Sequence, residues 1–320
     1  MKRTLVIAIR ELTAPQRQDI ARAAAAHGFE ALFFDSVEEA LPALANAEVA
    51  FGQSPRLAQS APKLRWLCTP SAGVDSFLAP GLFAAPDAVL SNSSGAYGLT
   101  IAEHIVMVTL EMLRQQPAYA RIVARREWRR GLPVRSIYKS RITLLGTGDI
   151  GREAALRLRA FSPACLVGVN RSGKAAGGVF DRVLPQAQLG AVLPGTDILI
   201  VSLPGTPETR HMLSAAGLAL LPDGALLVNV GRGSVLDEAA LERELRAGRL
   251  QAALDVFEEE PLPAGSPLWD CPNLCITPHI SGNMTLPYTV ARIVALFLED
   301  FENYCAGRPL KRAVDRAQGY

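Results

Sequence analysis

The chain has 320 residues, which exceeds the usual size of one domain and predicts two domains of comparable size, each able to bury its own core. A content of 49% hydrophobic and 20% charged residues is typical of a folded soluble protein, and 33 basic residues against 31 acidic ones provide no basic excess for binding nucleic acid. No apolar run approaches the roughly 20 residues that cross a bilayer, and no signal-peptide cleavage site follows the first residues. We therefore expect a cytoplasmic protein that binds no membrane.

The cysteines argue against both a disulfide framework and a metal site. There are five, an odd number, scattered from Cys68 to Cys305, which favours a reducing compartment. Cys271 and Cys275 have a spacing that metal sites use, but no second Cys or His pair accompanies them. The sequence therefore predicts free thiols and no bound metal.

Strand-like and helix-like runs alternate over the first part of the chain. We predict strands at 5–9, 31–34, 49–51, 64–68 and 88–90, with helices beginning near Pro15 and at 37–45. This alternation is typical of a parallel sheet covered by helices. The loop 69–75 follows the carboxyl end of one strand, where open α/β sheets bind ligands, and its backbone N–H groups could hold an anion.

A long apolar helix is predicted over residues 99–115, followed by a basic segment containing Trp128. We place one domain crossing before this helix and a second before the last helix, which is predicted from about Thr285 to Cys305. The first domain is then discontinuous and comprises residues 1–97 and 286–320. Residues 98–285 form the second domain.

The segment from Arg141 to Gly151 is predicted to form a strand, a tight turn and the start of a helix. Gly146 permits the turn, Gly148 lets the backbone approach a pyrophosphate, and Gly151 allows the helix to pack closely on the strand. The N-terminus of such a helix offers free N–H groups to phosphates. Alone, the pattern is also compatible with a surface turn, but a second apolar strand at 166–170 completes a βαβ unit and favours a dinucleotide.

The alternation resumes after this unit, with predicted strands at 198–203, 226–230, 252–257 and 274–277 and helices at 215–221 and 237–247. The predicted fold class is therefore α/β. We expect two doubly wound parallel-sheet domains, a flavodoxin-like substrate domain and a Rossmann cofactor domain, with a cleft between them.

Four histidines are present. His27 ends an alanine-rich helix and is interpreted as a helix cap, a structural role is favoured for His104 in an apolar helix, and His211 in a polar loop is expected to be solvated. His279 instead follows a predicted strand. An imidazole there could exchange a proton with a substrate at neutral pH, and a capping role is the alternative.

Charged residues follow two other predicted strands. Arg232 lies between two glycines, and its guanidinium could bind a carboxylate through two parallel hydrogen bonds. Asp255 lies in the next predicted strand, and three consecutive glutamates, 258–260, follow it. These glutamates are also compatible with a solvated surface segment, and spacing alone does not select one of them.

Together these segments resemble the D-isomer-specific 2-hydroxyacid dehydrogenases, a family that includes glyoxylate/hydroxypyruvate reductases, phosphoglycerate dehydrogenases and formate dehydrogenases. The likeness spans nearly the whole chain and keeps the family's order of motifs. The matching segments are 71–75, 102–104, 146–151, 229–233, 255–263, 266–269, 277–282 and the closing Gly319-Tyr320.

The resemblance implies roles for individual residues. Arg232 would bind the substrate's carboxylate and carbonyl oxygen, His279 would be the acid/base, and Glu260, which precedes the family's Pro-Leu-Pro, would pair with His279. The substrate would also contact the backbone of Ala72, Gly73 and Val74. Cofactor contacts are expected from Gly146, Gly148, Asp149, Ile150, Gly151, Asn170, Arg171, Ser172, Leu203, Pro204, Thr209, Val230, Gly231, Asp255 and Gly282, with Asp255 near the nicotinamide.

The residues after the strand at 166–169 predict the choice of cofactor. The family's NAD users place an acidic residue there, which accepts hydrogen bonds from the ribose hydroxyls, whereas this chain has Asn170, Arg171 and Ser172. A guanidinium and a hydroxyl suit the 2′-phosphate of NADP, so NADPH is expected to be preferred over NADH. The alternative is that Arg171 only points to solvent.

The resemblance thus implies an enzyme that reduces a small 2-oxo acid, such as glyoxylate or hydroxypyruvate, to the D-2-hydroxy acid and catalyses the reverse oxidation. A homodimer is expected, formed through residues 99–130. Two alternatives stay open. One is a cofactor-sensing binding protein of the corepressor type with little turnover, and the other is a phosphoglycerate dehydrogenase-like enzyme.

Overall fold

The computed structural model describes residues 3–174 and 177–319. Two parts of the sequence-based predictions lie outside the described residues. They are Met1 and Lys2, which precede the first predicted strand, and Tyr320, which closes the family-like ending. The chain divides into two units. One comprises Met1–Tyr97 with Asn283–Tyr320, and the other comprises Gly98–Gly282.

The first unit contains a sheet of five parallel strands. Its elements up to residue 97 are β1 (Arg3–Ala8), α1 (Ala14–Ala26), β2 (Phe29–Phe34), α2 (Val37–Leu44), β3 (Ala47–Gly52), α3 (Arg56–Gln59), β4 (Trp66–Cys68) and β5 (Val89–Ser91). The strand order is β2-β1-β3-β4-β5. The loop after β4 therefore lies at the carboxyl edge of an open sheet, where such folds bind ligands.

The second unit contains a parallel sheet of seven strands. Its elements are α4 (Gly98–Leu113), α5 (Gln116–Ala124), β6 (Arg141–Leu145), α6 (Asp149–Arg159), β7 (Cys165–Asn170), β8 (Arg182–Pro185), α7 (Leu189–Val192), β9 (Ile198–Val201), α8 (Ala215–Ala219), β10 (Leu226–Asn229), α9 (Glu238–Arg246), β11 (Gln251–Leu254) and β12 (Leu274–Ile276). The order is β12-β11-β10-β9-β6-β7-β8, so the sequence of strands reverses between β6 and β9. The glycine turn that follows β6 therefore lies at the topological switch point.

Buried apolar residues explain why these central strands form. All four residues of β9 are buried, and so are all four of β10, as expected for parallel strands covered on both faces. Leu199, Val201 and Leu227 belong to one apolar core with residues from α8 and α9. This core holds the carboxyl ends of the strands in fixed register.

The last helix, α10 (Pro287–Cys305), packs on the first unit. Pro287 suits a helix start because its fixed φ is already helical and its missing N–H would have no partner there. The Phe297 ring stacks on Phe51 of β3, with centroids 4.2 Å apart, and on Trp66 of β4, with centroids 5.3 Å apart. Aromatic stacking therefore joins the end of the chain to the first sheet.

The predicted α/β fold class with two parallel sheets is confirmed, but several elements differ from the sequence-based expectation, and the helices α3, α5 and α7 were not predicted. The helix predicted over 99–115 ends at Leu113, and α5 begins at Gln116 after Gln115 adopts a left-handed φ of 60°. Pro117 contributes to this break, because in a continuous helix it would have no N–H to donate to the Leu113 carbonyl and its ring would clash with that carbonyl, whereas it is tolerated in the first turn of α5. The short strand β8 was not predicted, because it begins with Arg182 and ends with Pro185, which is tolerated at a sheet edge.

No helix within residues 3–174 and 177–319 is long and apolar enough to span a membrane. The same residues contain no group of three His, Cys, Asp or Glu side chains that could hold a metal ion. The five cysteines are free, and burial raises the pKa of the Cys68 thiol to about 12. A thiol of that kind is inert as a nucleophile.

Candidate active site

The turn after β6 depends on glycines for two different reasons. Gly146 has a φ of 108°, and a Cβ there would lie 2.7 Å from the Ser202 Oγ. A Cβ on Gly151 would lie 2.1 Å from the Gly146 carbonyl oxygen, so helix α6 packs against the turn too closely for any side chain. A Cβ on Gly148 would meet no atom within 4 Å. Gly148 therefore leaves open space beside the N-terminus of α6.

Asp149, the first residue of α6, already has a structural partner. Its Oδ2 accepts a hydrogen bond of 2.8 Å from the backbone N–H of Gly98, the first residue of α4. The carboxylate thus caps the N-terminus of a second helix. Ile150 follows it, half-buried. Any cofactor contact from Asp149 would therefore use its backbone rather than its carboxylate.

Asn170 organises the loop that follows β7. Its Oδ1 accepts hydrogen bonds from the N–H groups of Ser172, at 3.1 Å, and Gly173, at 2.7 Å. Its Nδ2 donates to the Thr147 Oγ1 at 2.8 Å and to the Lys174 carbonyl at 2.9 Å. The Asn170 amide therefore orders the loop after β7.

The same loop exposes positive charge. Arg171, Ser172 and Lys174 are all exposed. The pKa of Glu208 is lowered by hydrogen bonds from its own backbone N–H and from Thr206, and to a smaller extent by the charge of Arg171. Arg171 therefore lies within electrostatic reach of the loop after β9.

The loop after β9 contains three residues expected to contact the cofactor. Leu203 and Pro204 lie at its start, and the Thr209 Oγ1 donates to the Pro204 carbonyl at 2.7 Å. The Thr209 Oγ1 also accepts from the Thr206 N–H at 2.8 Å. Thr209 therefore fixes the shape of this loop from a position that is only 7% exposed.

The loop after β10 holds Arg232 between two glycines that permit close packing. A Cβ on Gly231 would lie 2.5 Å from the Leu203 carbonyl oxygen, and a Cβ on Gly233 would lie 1.8 Å from the Phe257 carbonyl carbon. The Asn229 side chain accepts from the Gly231 N–H and donates to the Arg232 carbonyl, both at 3.0 Å. Val230 is buried and Arg232 is half-buried. The backbone of Arg232 is therefore fixed from both sides.

His279 and Glu260 form a direct pair. The His279 Nδ1 lies 2.6 Å from the Glu260 Oε2, and the Glu260 Oε1 accepts from the Phe257 N–H at 2.9 Å. The His279 side chain is 48% exposed, so its other ring edge reaches solvent. Of the three consecutive glutamates, the one that contacts His279 is therefore Glu260.

Glu258 has different partners. It pairs with Arg210 at 2.7 Å and with the His211 Nε2 at 2.8 Å. His211 is partly exposed, as expected from the sequence, but its ring also hydrogen-bonds a carboxylate from a distant part of the sequence, which was not predicted.

Asp255 is the buried charge behind His279. It is 1% exposed and accepts hydrogen bonds from the Thr277 hydroxyl at 2.6 Å, the Ile280 N–H at 2.9 Å and the Ser281 N–H at 3.0 Å. Burial alone would raise the Asp255 pKa, but these hydrogen bonds together hold it below its ordinary value. Asp255 therefore stays ionised inside the protein.

His279 itself has an unusual backbone. Its φ is 52°, a left-handed conformation that costs a non-glycine residue roughly 1–2 kcal/mol. The His279 N–H donates to the Asp255 carbonyl at 2.9 Å and to the Thr277 carbonyl at 3.0 Å. The surrounding hydrogen bonds offset this cost. Gly282, half-buried, ends the segment and the second unit.

In the first unit, the loop after β4 is shaped by side chains that bond its carbonyl groups. The Asn92 Nδ2 donates to the Ala72 carbonyl at 2.9 Å, and the Ser71 Oγ donates to the Gly73 carbonyl at 2.7 Å. The N–H groups of Ala72 and Gly73 donate to no partner within the described chain. They are therefore available to an anion, while the neighbouring Val74 is buried.

Two residues of the second unit lie close to Asp255 but were not predicted from the sequence as part of the site. Thr277 binds Asp255, and the His104 Nε2 lies 3.3 Å from the Thr277 Oγ1. Thr277 had a usable signal, because it is a hydroxyl residue directly after an apolar strand and two positions before His279. His104 lies in the matching segment 102–104, but its contact with Thr277 was not predictable, since the two residues are 173 positions apart in the sequence.

The site combines a glycine turn of the dinucleotide-binding type with the His279–Glu260 pair and Arg232 on one parallel sheet, a combination typical of α/β oxidoreductases. Residues 106–281 match the family model described as D-isomer specific 2-hydroxyacid dehydrogenase, NAD binding domain. The chain is 33% identical over 292 residues to glyoxylate/hydroxypyruvate reductase B of Serratia proteamaculans, covering 88% of this chain and 89% of that relative. The chain therefore belongs to the D-isomer specific 2-hydroxyacid dehydrogenase family.

Solved structures agree with this assignment. A D-isomer specific 2-hydroxyacid dehydrogenase family protein from Aeromonas salmonicida superposes with a TM-score of 0.86 at 32% identity, covering 99% of this chain and 100% of that one. An NADPH-dependent glyoxylate/hydroxypyruvate reductase from Sinorhizobium meliloti, solved with NADP and sulfate, superposes with a TM-score of 0.81 at 30% identity, and both chains are covered completely.

The buried Asp255 charge predicts a pH-dependent contribution to stability. Asp255→Asn would place an amide NH₂ or a neutral oxygen against two backbone N–H groups, so we expect a loss of about 1–3 kcal/mol in the free energy of unfolding at pH 7. Because the folded-state pKa lies below the unfolded value of about 3.9, this contribution is complete above that pH and is lost as the pH falls through the folded pKa.

Urea unfolding of both proteins at pH 7 and near pH 3 measures this effect. The difference in the free energy of unfolding between wild type and Asp255→Asn should be smaller at the lower pH. Asp223→Asn, whose side chain is 89% exposed, is the control and should change stability by less than about 0.5 kcal/mol. If wild type and Asp255→Asn differed by the same free energy of unfolding at both pH values, the assignment of an ionised Asp255 would be wrong.

Proposed function

We propose that this protein is a D-2-hydroxyacid dehydrogenase that reduces a small 2-oxo acid of the glyoxylate or hydroxypyruvate type, with NADPH as the preferred cofactor. The observation that carries the proposal is the His279–Glu260 pair, at 2.6 Å, on the sheet that also presents Arg232. Reduction of a carbonyl next to a carboxylate needs a proton donor and a cation, and these loops follow neighbouring strands β10, β11 and β12. The glyoxylate/hydroxypyruvate reductases among its relatives support the substrate class.

The glycine turn fits a dinucleotide, because the side-chain direction of Gly148 is open and the positive end of α6 lies beside it. Once bound, the nicotinamide would supply a hydride to the carbonyl carbon. Arg232 would bind the substrate carboxylate and stabilise negative charge on the carbonyl oxygen. The N–H groups of Ala72 and Gly73 in the first unit are proposed to bind substrate as well.

His279 would donate the proton that completes the reduction. Its Nδ1 is held by Glu260, so the Nε2 edge is the one that faces the carbonyl oxygen. The Glu260 carboxylate stabilises the positive charge that the imidazole carries before transfer, and it keeps the ring oriented. In the oxidative direction the same Nε2 accepts the hydroxyl proton.

The preference for NADPH is argued from the loop after β7. Position 170 is an asparagine and not an acidic residue, so it has no carboxylate to accept hydrogen bonds from ribose hydroxyls. Its amide hydrogen-bonds Thr147 and groups of its own loop. The loop instead presents Arg171, together with a Ser172 hydroxyl whose oxygen accepts from the Lys174 N–H at 3.4 Å and whose proton stays available to donate. A 2′-phosphate suits these donors.

A homodimer is proposed through the region of residues 99–130. Three large apolar side chains are exposed in or beside it, Met107, Val123 and Trp128, and Trp128 is 94% exposed. Such groups are typical of surfaces that bury apolar area in an oligomer. The segment containing Trp128 follows α5 and has no regular secondary structure, so a partner could order its indole.

The reaction is tested with purified protein and a panel of 2-oxo acids. We expect oxidation of NADPH by glyoxylate or hydroxypyruvate, and almost none in His279→Ala. Arg232→Ala should lower kcat/KM at least ten- to a hundred-fold, because a charge-assisted contact is worth about 1.5–3 kcal/mol. Arg232→Lys, which keeps the charge but not the fork, should recover only part of this loss. Binding of NADPH without turnover across the panel would favour the corepressor type instead.

Cofactor choice is tested by measuring kcat/KM with NADPH and NADH. We expect Arg171→Ala to weaken use of NADPH about ten- to a hundred-fold and to leave NADH nearly unchanged. Arg246→Ala removes an exposed guanidinium from α9 of the same unit and serves as the charge-matched control. Equal losses with both cofactors in Arg171→Ala would remove this residue from the phosphate site.

The oligomer is tested by light scattering. We expect the wild type at twice the chain mass of 34.3 kDa and Val123→Glu at the mass of one chain, because a charge in an apolar interface is costly. Leu220→Glu, at the C-cap of α8, where the side chain is 43% exposed against 68% for Val123, should keep the wild-type mass. If light scattering gives the wild type the mass of one chain, the proposed dimer is wrong.

A further inference from the structure

The backbone segment that carries His279 is tied to one carboxylate. The Ile280 and Ser281 N–H groups donate to the two oxygens of Asp255, and the His279 N–H donates to the Asp255 carbonyl. His279 has its left-handed φ of 52° between these contacts. The direction of the imidazole therefore depends on where the Asp255 side chain is held.

Thr277 also holds that carboxylate, through the oxygen that accepts from Ile280. Its Oγ1 donates to the Asp255 Oδ1 at 2.6 Å and lies 3.3 Å from the His104 Nε2. A hydroxyl has one proton, and here the proton is directed to the ionised carboxylate. The lone pairs of the Thr277 Oγ1 are then the acceptor for His104, so His104 must carry its proton on Nε2.

His104 is anchored by α4 rather than by a loop. Its side chain is 9% exposed, on a helix that packs against β10 and β11. Burial lowers the His104 pKa, against the opposing charges of Asp255 and Glu111, which are the charged groups that face it. The neutral ring then needs a fixed tautomer, and the Thr277 oxygen selects the Nε2–H form.

We propose that Thr277 and His104 are positioning residues, which hold His279 in its left-handed conformation by fixing the Asp255 carboxylate. The inference rests on the proposed function for its effect on turnover. The hydrogen-bonded chain runs from His104 to Thr277 to Asp255 and then to the His279 segment. Helix α4 thereby sets the orientation of the proposed acid without touching the substrate.

Each link in this chain has a matched replacement. Thr277→Val keeps the shape of the side chain but removes the hydroxyl, and Thr277→Ser restores the hydroxyl. His104→Leu removes the ring donor, and His104→Gln keeps an N–H at a similar distance from the backbone. Thr143→Val is the control, because Thr143 is also a buried threonine of the second unit. Its Oγ1 hydrogen-bonds Thr196 at 2.7 Å, and its strand β6 is separated from β12 by three other strands.

The experiment measures kcat, the Kd for NADPH and amide hydrogen exchange at Thr277, His279, Ile280 and Ser281 in the full-length protein. We expect Thr277→Val and His104→Leu to lower kcat at least tenfold while the Kd for NADPH stays within about threefold. Exchange at Ile280 and Ser281 should become at least tenfold faster in both. Thr277→Ser and His104→Gln should recover most of the kcat and of the protection, and Thr143→Val should match wild type in all three measurements.

Outcomes that overturn the inference are distinct from a failure of the proposed function. The inference is wrong if Thr277→Val has the same kcat and exchange rates as Thr143→Val. It is also wrong if Thr277→Ser loses as much kcat and exchange protection as Thr277→Val. If Thr277→Val does not fold, His104→Leu against His104→Gln decides by the same two readouts. If the wild type reduces no 2-oxo acid, the proposed function fails, and the exchange rates at Ile280 and Ser281 alone decide whether the chain of hydrogen bonds positions this segment.

Discussion

An ionised carboxylate that is 1% exposed must be surrounded by donors, and this requirement at Asp255 sets the geometry of the candidate site. The donors come from the segment after the neighbouring strand, so satisfying the charge also fixes that segment. The strained backbone of His279 is compatible with stability because the same hydrogen bonds compensate it. The hydrogen bonds that compensate the desolvation of the Asp255 charge therefore also orient the His279 imidazole.

Close backbone packing provides the second constraint. Gly231 and Gly233 bring the loop after β10 against the loops after β9 and β11 at distances that exclude any Cβ. Arg232 lies between them, so its position is set by backbone contacts on both sides rather than by side-chain packing. The three loops that carry the proposed catalytic groups are joined to one another, and a shift in one would have to move the others.

The sequence predicted the parts of the molecule that depend on local pattern. The glycine turn, the alternation of strands and helices and the position of His279 after a strand all follow from short segments. The sequence did not predict contacts between distant residues, such as Asp149 with Gly98, His211 with Glu258 and His104 with Thr277. It also missed the break at Gln115, because proline and a left-handed residue interrupt an otherwise continuous apolar pattern.

The loop built by Asn170 limits how cofactor choice can evolve. An aspartate at this position could accept from the Ser172 and Gly173 N–H groups as Asn170 does. However, its second oxygen would then face the Lys174 carbonyl, which now accepts from the Asn170 Nδ2, and two acceptors repel each other. The Thr147 hydroxyl can rotate to donate, but a carbonyl cannot. A lineage that gains the acidic residue typical of NAD users would therefore have to rebuild the loop first, so the order of mutations is constrained.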